Sequence, residues 1–547
     1  MPELVLGPLL RHVGERDATV WVETDAPCQV EVLGHRARTF EVYGHHYALV
    51  LIEGLEPRQA VEFEVALDGL KRWPQRDGTI PPSRIRALDP DGTITVAFGS
   101  CRVAAPHDPP YVCERSEHKL GRGVDALQAL ATRMTTQEPE LWPSLLLMLG
   151  DQVYADHASP ETRAFIRSRR TTQDPPGEEV ADFEEYTRLY REAWGQPLIR
   201  WLLSTVPSAM IFDDHEVIDD WNISARWKSE IRREGWWHER IAGALVSYWV
   251  YQHLGNLSPQ LLRDDSLYQQ VLAGAEAGPL LREFALRADA TTAGSRWSYS
   301  RELGRSRLVV VDSRAGRVLA EDRREMVDEE EWSWLDGRLR GGFDHLLVAT
   351  SLPYLLPRAI HDVEAWNEAV SAGRWGPTAS KLAERLRRAL DLEHWAAFRS
   401  SFERLARILR EVASGERGPS PASIVLLSGD VHYAYLAEAV FPGQPVESRV
   451  VQAVCSPFRH ALDPPIELAS RLAFGRLAQF VGSVLARSAR VPRPPLSWRI
   501  AHGPCFENEV ATIALAGRTS RLTLERTPPR EMSLECVLEA RLAAGGS

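Results

Sequence analysis

The 547-residue chain lacks the sequence features that mark several broad classes of protein. Its six cysteines lie far apart and form no C-x-x-C pair, so neither a zinc ribbon nor a disulfide framework is indicated. No run of about 18 uncharged apolar residues occurs, so no membrane-spanning helix is expected. There is no polybasic run, and 64 Lys and Arg against 75 Asp and Glu give a formal charge of -11. We therefore expect no nucleic-acid-binding patch.

The first residues also lack the pattern of an export signal. The sequence MPELVLGP has no charged segment followed by an apolar core, and it has no twin arginine. We therefore expect a cytoplasmic protein, whose partners would be internal.

Residues 1–88 have the pattern of a separate all-β domain. Apolar and polar residues alternate at 19–24, 29–32 and 61–67, with turn signals between these runs. Several short strands of this kind predict a small β-sandwich of the immunoglobulin or fibronectin type. The segment 73–83, rich in Pro, Asp and Gly, is expected to be a linker.

From residue 89 to about 530, strand patterns alternate with helical patterns, which is typical of an α/β domain. Buried strands are predicted at 94–98, 145–149, 209–212, 308–312, 346–350 and 424–428. Helices are predicted at 121–136, 184–203, 228–254, 322–340, 378–413 and 466–488. A hairpin of strands 510–515 and 521–524 is expected to close a second sheet, and residues 531–547 are expected to form a C-terminal tail.

The most apolar helical segment spans residues 466–491. Arg471, Arg476 and Arg487 interrupt it. We interpret it as a helical hairpin that belongs to the core or caps it, in preference to a helix on a membrane surface.

Four short motifs place metal-binding side chains at predicted strand ends. They are FGSC at 98–101, GDQVY at 150–154, DDHE at 213–216 and GDVH at 429–432. A glycine after a buried strand lets the chain turn sharply and leaves the next side chain facing a cleft. Carboxylates, a thiol, a phenol and imidazoles gathered at one sheet edge indicate a pair of cations.

Taken one at a time, most of these residues also allow a structural interpretation. Asp151 could belong to an ordinary turn, Tyr154 could pack in its loop, and a buried cysteine such as Cys101 is most often inert. Asp430 and His432 could equally be two ligands or a core histidine with a carboxylate partner.

Asp214 and His215 lie in an acidic run that directly follows apolar residues and precedes Trp221. A run in that setting is not a typical exposed helix face, and packing like charges is costly unless cations neutralise them. A metal site is therefore the favoured explanation.

Taken together and in this order, the four motifs resemble the alkaline phosphatase D (PhoD-like) family of the metallophosphatase superfamily. Residues 311–317, VDSRAGR, are similar to the D-x-R-x-x-R of that family. The resemblance extends from Gly7-Pro8 to the final hairpin. It implies a four-layer α/β/β/α metallophosphatase sandwich preceded by the β-sandwich.

The resemblance also implies a centre of two metals. Asp151 would bridge them, and Cys101, Tyr154 and His432 would bind the trivalent ion, Fe3+. Asp214 and Asp430 would bind a divalent ion. Carboxylates in place of imidazoles favour a hard divalent ion such as calcium, with manganese or magnesium as options.

One departure from the wider superfamily concerns the second metal. Many relatives supply a histidine from the strand that here ends in Thr350-Ser351-Leu352-Pro353. His345 lies at the opposite end of that strand. We therefore expect the second site to be weaker and more easily emptied.

The implied activity is hydrolysis of a phosphomonoester or phosphodiester by a hydroxide that the two cations activate. His215 is the candidate that protonates the leaving group or stabilises the transition state. Arg314 could clamp a phosphate oxygen, or it could pair with Asp312 or another core carboxylate.

Other functions remain open at this stage. They are a catalytically silent binding module of the same fold and a metal-dependent hydrolase of a carboxylic ester or amide. Five tryptophans after the third motif could line the cleft, but their helical spacing favours the core; they are Trp221, Trp227, Trp236, Trp237 and Trp249.

Overall fold

A computed structural model describes residues 1–74 and 80–543 of the chain. Residues 75–79 of the expected linker and the last four residues, 544–547, lie outside the described residues.

Ten strands form the N-terminal part of the chain. They are β1 (Leu4–Val13), β2 (Asp17–Thr24), β3 (Gln29–Val32), β4 (His35–Arg38), β5 (Phe40–Val42), β6 (His45–Glu53), β7 (Ala60–Glu62), β8 (Val65–Leu67), β9 (Leu70–Trp73) and β10 (Arg84–Arg86). Two four-stranded sheets have the orders β1-β2-β6-β5 and β4-β3-β8-β9, and β10 pairs with β7. Val20 and Val50 of one sheet share a buried cluster with Val32 and Val65 of the other. The two sheets therefore enclose a common core, as in a sandwich.

Thirteen further strands form two larger sheets in the described residues. They are β11 (Ile94–Gly99), β12 (Leu145–Leu149), β13 (Ser208–Ile211), β14 (Tyr299–Leu303), β15 (Ser306–Val311), β16 (His345–Thr350), β17 (Ser423–Ser428), β18 (Ala434–Val440), β19 (Arg449–Val454), β20 (Ser497–Cys505), β21 (Glu509–Ala516), β22 (Thr519–Arg526) and β23 (Glu535–Ala543). The first sheet has the order β13-β12-β11-β21-β22-β23, and the second has the order β14-β15-β16-β17-β19-β18-β20. Each sheet contains a parallel block, β13-β12-β11 in the first and β15-β16-β17-β19 in the second.

The helices lie between and around these strands. They are α1 (Ala126–Met134), α2 (Pro160–Arg169), α3 (Phe183–Trp194), α4 (Pro197–Thr205), α5 (Ala225–Ile231), α6 (Trp237–Ser247), α7 (Leu254–Asn256), α8 (Pro259–Asp264), α9 (Ser266–Ala273), α10 (Gly278–Ala290), α11 (Glu329–Arg338), α12 (Arg358–Ser371), α13 (Pro377–Ala389), α14 (Arg399–Ala413), α15 (Pro464–Ala473) and α16 (Arg476–Ser488). A π-helix, Tyr248–His253, joins α6 to α7. No described helix is both long and apolar enough to cross a membrane.

The buried-strand patterns of the sequence become the parallel strands of both sheets. All five residues of β12 are buried, as a strand covered on both faces requires. Along β16, Leu347 and Ala349 join one core cluster, whereas Leu346 and Val348 join another. The second sheet therefore packs apolar residues on both of its faces.

The structure differs from the sequence-based expectations in several elements. The predicted helix 184–203 is broken before Pro197, which begins α4, because a proline is tolerated in the first turn of a helix but not in its interior. Helix α12 was not predicted. The hairpin β21-β22 extends the first sheet through β11, and does not close a second one. Within the expected tail 531–547, residues 535–543 form β23 at the edge of that sheet.

The N-terminal domain contacts the rest of the protein through buried polar groups. The guanidinium of Arg11 on β1 is fully buried and donates to the carbonyls of Tyr251 and Gln252 in the π-helix, at 2.6 and 2.8 Å. The hydroxyl of Tyr251 in turn donates to Glu23 on β2 at 3.0 Å. These bonds attach the β-sandwich to the helix that lies next to the strand-end motifs.

Replacement of Arg11 tests this attachment. Arg11→Met should lower the free energy of unfolding by about 2–4 kcal/mol, because two buried carbonyls lose their charged donor. Chemical denaturation measures this loss, with Arg16→Met at an exposed turn as the matched control. Equal midpoints for the two variants would show that the buried contact contributes little to stability.

Candidate metal centre

The carboxyl ends of the two parallel blocks face one another at the site. Cys101, Asp151 and Asp213 follow β11, β12 and β13, each after one intervening residue. Asp430 follows β17 from the opposite sheet, and its backbone N–H donates to the Ser100 hydroxyl at 3.0 Å. Neighbouring parallel strands end at the same edge of a sheet, which brings the first three motifs together. The fourth motif comes from the other sheet and meets them across the gap.

The close approach of the strand ends requires glycine at two turns. A Cβ on Gly429 would lie 2.1 Å from the hydroxyl oxygen of Ser100, across the gap between the sheets. Gly150 has φ +103°, and a Cβ there would lie 2.6 Å from the Cβ of Asp213. A side chain at either position would therefore separate the strand ends.

Four of the predicted ligands adopt left-handed backbone conformations. The φ angles are 56° at Cys101, 53° at Asp151, 67° at Asp430 and 56° at His432. Residues other than glycine rarely occupy this region, and such strain is concentrated at functional sites. The positive φ at both Asp430 and His432 provides the turn that lets these alternating residues approach one cleft.

One group of ligands surrounds Asp151. The Sγ of Cys101 lies 3.2 Å from Oδ2 of Asp151, and the Tyr154 hydroxyl lies 3.3 Å from the same oxygen. Potential ligand atoms of Cys101, Asp151 and His432 lie within 4.8 Å of one another. These are the four residues that the resemblance assigned to the trivalent ion.

A second group lies beside it and contains mainly carboxylates. Oxygen atoms of Asp213, Asp214 and Asp430 lie within 4.8 Å of one another. Ligand atoms of Asp151, Asp214 and His215 meet the same limit. Asp151 therefore belongs to the first group and is linked to the carboxylate group through Asp214.

Arg314 is the positive charge within the second group. Its fully buried guanidinium contacts Asp213, and it lies 2.5 Å from Glu393, 3.3 Å from Asp214 and 3.5 Å from Asp430. This arrangement favours the core ion pair over the phosphate clamp, because its nitrogens already face protein carboxylates. Asp312 is not its ion-pair partner.

Asp312 instead organises the loop that carries Arg314. Its carboxylate accepts the backbone N–H groups of Arg314, Ala315 and Gly316 at 2.7 to 3.0 Å. The loop therefore aims the guanidinium of Arg314 inward.

His215 lies beside the ligands and is oriented by a carboxylate. Its Nδ1 is 2.8 Å from an oxygen of Asp156, which leaves Nε2 for other partners. Burial lowers the pKa of His215, but Asp156, Asp151 and Asp214 offset this effect and hold the pKa well above its ordinary value. Asp156, which is not among the proposed ligands, therefore both orients the ring and favours its protonated form.

Two histidines of the site were missed in the sequence. His394 has Nε2 at 3.1 Å from Asp430 and Nδ1 at 2.7 Å from Glu364. His460 has Nδ1 at 3.1 Å from the Tyr154 hydroxyl. His460 follows the buried strand β19 and could have been found as another strand-end residue, whereas His394 lies in a loop after α13 and carries no such signal.

The positions of His345 and of the five tryptophans agree with the sequence-based expectations. His345 begins β16 and bonds Ser423 and the carbonyl of Gly517, so it lies away from the ligands, as expected. Trp221, Trp237 and Trp249 are buried in the main core cluster, and Trp227 and Trp236 pack against it. These tryptophans therefore belong to the core.

Glu216 connects the turns of the second and third motifs through hydrogen bonds. Its buried carboxylate accepts the backbone N–H groups of Asp151 at 3.0 Å, Gln152 at 2.9 Å and Asp213 at 2.8 Å. The side-chain amide of Gln252 donates to it at 3.1 Å. Burial raises the pKa of Glu216 to about 7, even though these hydrogen bonds favour the charged form.

The residues present fit a pair of cations. Among the described residues, Oδ1 of Asp151 and Oδ2 of Asp213 are buried without a hydrogen-bond partner. Burial raises the pKa of Asp151 well above its ordinary value and that of Asp214 to about 6. Such carboxylates are stable as anions only with positive charge beside them, and the thiol, phenol and imidazoles supply further ligands.

Replacement of Glu216 tests the role of its carboxylate. Glu216→Gln keeps the shape but directs an amide N–H2 toward backbone donors, so the unfolding free energy should fall by about 2–3 kcal/mol. Metal content should fall as well, because the Asp151 turn loses its anchor. The exposed Glu15→Gln is the control. Unchanged stability and metal content in Glu216→Gln would rule out this role.

Comparisons with known proteins agree with the resemblance seen in the motifs. A sequence model described as "Domain of unknown function (DUF7800)" matches residues 1–85, and one described as "PhoD-like phosphatase" matches residues 128–459. No curated protein sequence matches the chain.

Comparison with solved structures adds information on the fold. A structure described as "Structure of PhoD" is similar with a TM-score of 0.59 at 12% identity, covering 98% of this chain and 90% of that one. A maltogenic amylase from S. marinus has a TM-score of only 0.16 at 8% identity, covering 95% of this chain and 76% of that one, and supports no argument. The phosphatase model spans more than half of the sequence, and the chain therefore belongs to the PhoD-like phosphatase family, as a hydrolase of the phosphatase type.

Proposed function

We propose that the protein is a metal-dependent phosphoester hydrolase with a dinuclear centre. The observation that carries this proposal is the position of Asp151, whose carboxylate is shared by two adjacent groups of potential ligands. One group adds Cys101 and His432 to Asp151, and the other adds Asp214 and His215. Asp214 also belongs to the carboxylate group with Asp213 and Asp430. Two different ions joined by one carboxylate would account for both.

The two groups differ in the ions that they suit. Cys101, Tyr154 and His432, with Asp151, would hold Fe3+, since a phenolate and a thiolate stabilise a trivalent ion. Asp214 and Asp430 would hold a divalent ion, for which calcium is the first choice and manganese or magnesium the alternatives. When bound, such a pair supplies an acidified water and positive charge for the phosphate oxygens.

His394 is a further candidate for the divalent ion. Its Nε2 faces Asp430, while Glu364 holds Nδ1. A carboxylate that fixes the far nitrogen of a histidine is the usual second partner of a metal-binding imidazole. His394 would then compensate for the histidine that β16 does not provide, where Ser351 instead bonds Ser313.

Side chains of the protein would donate a proton to the leaving oxygen and balance the charge of the buried carboxylates. Asp156 fixes Nδ1 of His215, so that Nε2 can give a proton to the leaving oxygen. Arg314 would act as a fixed counter-ion that holds Asp213 and Glu393 in place. Its part is to position ligands, and contact with substrate is not required.

We further propose the fold around this centre, the division of the chain into domains, the class of substrate and the compartment. The four-layer α/β/β/α sandwich is supported by β16, which contributes to core clusters on both of its faces. The proposed domains are an immunoglobulin- or fibronectin-like domain at 1–88 and the catalytic domain from 89 to about 530, which β23 extends to residue 543. The substrate is a small-molecule phosphoester, and the proposed compartment is the cytoplasm.

Metal analysis followed by a substrate panel tests the function. Protein purified without chelator should contain iron and a divalent metal, and it should hydrolyse nitrophenyl phosphate or bis(nitrophenyl) phosphate. Asp151→Ala should lose both metals and all turnover, whereas Asp430→Ala should lose mainly the divalent one. The exposed Asp322→Ala is the matched control.

Three outcomes of these measurements would contradict the proposal. Hydrolysis of nitrophenyl acetate without any phosphoester would indicate a carboxylic ester hydrolase. Metal binding without turnover of any ester would indicate a silent binding module. Equal metal content in wild type and Asp151→Ala would refute the bridging carboxylate.

The role of His215 is tested through the leaving group. His215→Ala should keep both metals and lower turnover roughly 100- to 10,000-fold on an alkyl phosphate. The loss should be smaller on nitrophenyl phosphate, because a good leaving group hardly needs a proton. An equal loss on both esters would indicate charge stabilisation, and loss of metal would make His215 a ligand.

A further inference from the structure

The helical hairpin α15-α16 turns its large apolar side chains toward solvent. Leu477, Phe480, Val481 and Val484 recur at the spacing of one helix face on α16, and Leu477 and Phe480 are 77% and 64% exposed. On α15, Ile466, Leu468 and Leu472 are also exposed, and no residue of that helix is buried. A continuous apolar face of this kind marks a binding surface.

The opposite face of α16 shows that this orientation is fixed by packing. The helix packs on α12 through small residues, and both Gly482 and Ala486 are buried. A Cβ on Gly482 would lie 2.9 Å from the carbonyl oxygen of Ala359. The helix therefore cannot turn its large apolar face inward without losing this close contact.

Positive charge accompanies the exposed face. Residues 464–493 contain five arginines and one glutamate, a formal charge of +4 in a chain of net charge -11. Arg476 and Arg487 are exposed and lie three turns apart, so both lie on the same flank of the apolar stripe. Trp375 is exposed near the C-terminal end of α16, where its Nε1 lies 3.4 Å from the carbonyl of Ser488.

We propose that the α15-α16 hairpin binds the surface of an anionic lipid bilayer. Leucine and phenylalanine would enter the boundary of the acyl chains, arginines would pair with lipid phosphates, and the tryptophan would lie at headgroup depth. Binding of a second copy of the chain would bring two arginine-rich faces together. Repulsion between their like charges opposes such a dimer. An exposed apolar face also needs no complementary groove in order to enter a fluid bilayer.

Contacts at the base of the hairpin connect this surface to the metal centre. Phe474, between the two helices, packs edge-on against Tyr433, the residue after His432. The hairpin begins four residues after His460, which bonds Tyr154. Membrane binding would therefore bring the metal centre close to the lipid surface.

Vesicle flotation tests the proposal with the full-length protein. The protein should float with vesicles of phosphatidylcholine and phosphatidylserine, bind vesicles of phosphatidylcholine alone more weakly, and dissociate as salt is raised. The triple variant Leu477→Ser/Phe480→Ser/Val484→Ser should bind more than tenfold more weakly, since insertion depends on buried apolar area. Arg476→Gln/Arg487→Gln should weaken binding to the anionic vesicles about fivefold for each arginine.

The control variant is Leu141→Ser, which changes a leucine of similar exposure in the segment between α1 and β12. It should bind as the wild type does. All variants should retain hydrolysis of soluble nitrophenyl phosphate and the far-UV circular dichroism of the wild type, which separates this test from that of the catalytic function.

Three outcomes would overturn the proposal. They are absence of vesicle binding by the wild type, undiminished binding by the folded triple variant, and a self-association in sedimentation that the triple variant abolishes without any vesicle binding. The last would identify a second copy of the chain as the occupant.

Discussion

The carboxylate of Glu216 is the interaction on which the arrangement of the site depends. It accepts backbone N–H groups from the turns after β12 and β13, and thus fixes the positions of Asp151 and Asp213. Gln252 binds the same carboxylate from a π-helix, a distortion that is common at functional sites. Arg11 of the N-terminal domain holds the carbonyl of that glutamine. The β-sandwich therefore supports the metal-binding turns through one connected set of hydrogen bonds.

The balance of buried charge explains why this support is needed. Asp151, Asp213, Asp214 and Asp430 converge, and Arg314 is the guanidinium among them. Burying unpaired ions costs several kcal/mol each, and one guanidinium cannot neutralise four carboxylates. The protein alone therefore holds these groups close together at a cost, which bound cations would offset. Metal binding and the stability of the strand ends should be coupled for this reason.

The sequence predicted that the residues at the strand ends would lie close together. Cys101, Asp151 and Asp214 each follow a short apolar run, and neighbouring parallel strands bring such positions together whatever the helices do. Asp430 follows a similar run, but its approach depends on how the second sheet packs on the first. His394 and Glu364 were missed because a loop and the unpredicted helix α12 carry them, and their approach to Asp430 depends on tertiary packing. The burial of Arg314 was likewise open, since a motif gives a residue its place in the loop but not the direction of its side chain.

The hairpin α15-α16 is a second case in which the sequence predicted an element but not the direction in which its side chains point. The sequence predicted a helical hairpin at 466–491 that belongs to the core or caps it, but the large apolar side chains of the hairpin are exposed. A hydrophobic stripe has the same period whether it faces the core or the solvent. Gly482 settles the direction, because close packing on Ala359 admits only a small residue there. The large side chains must then face outward, and the arginines beside them remain accessible. The exposed apolar face is thus a consequence of how α16 packs on α12, and Phe474 keeps that face next to the strand that follows His432.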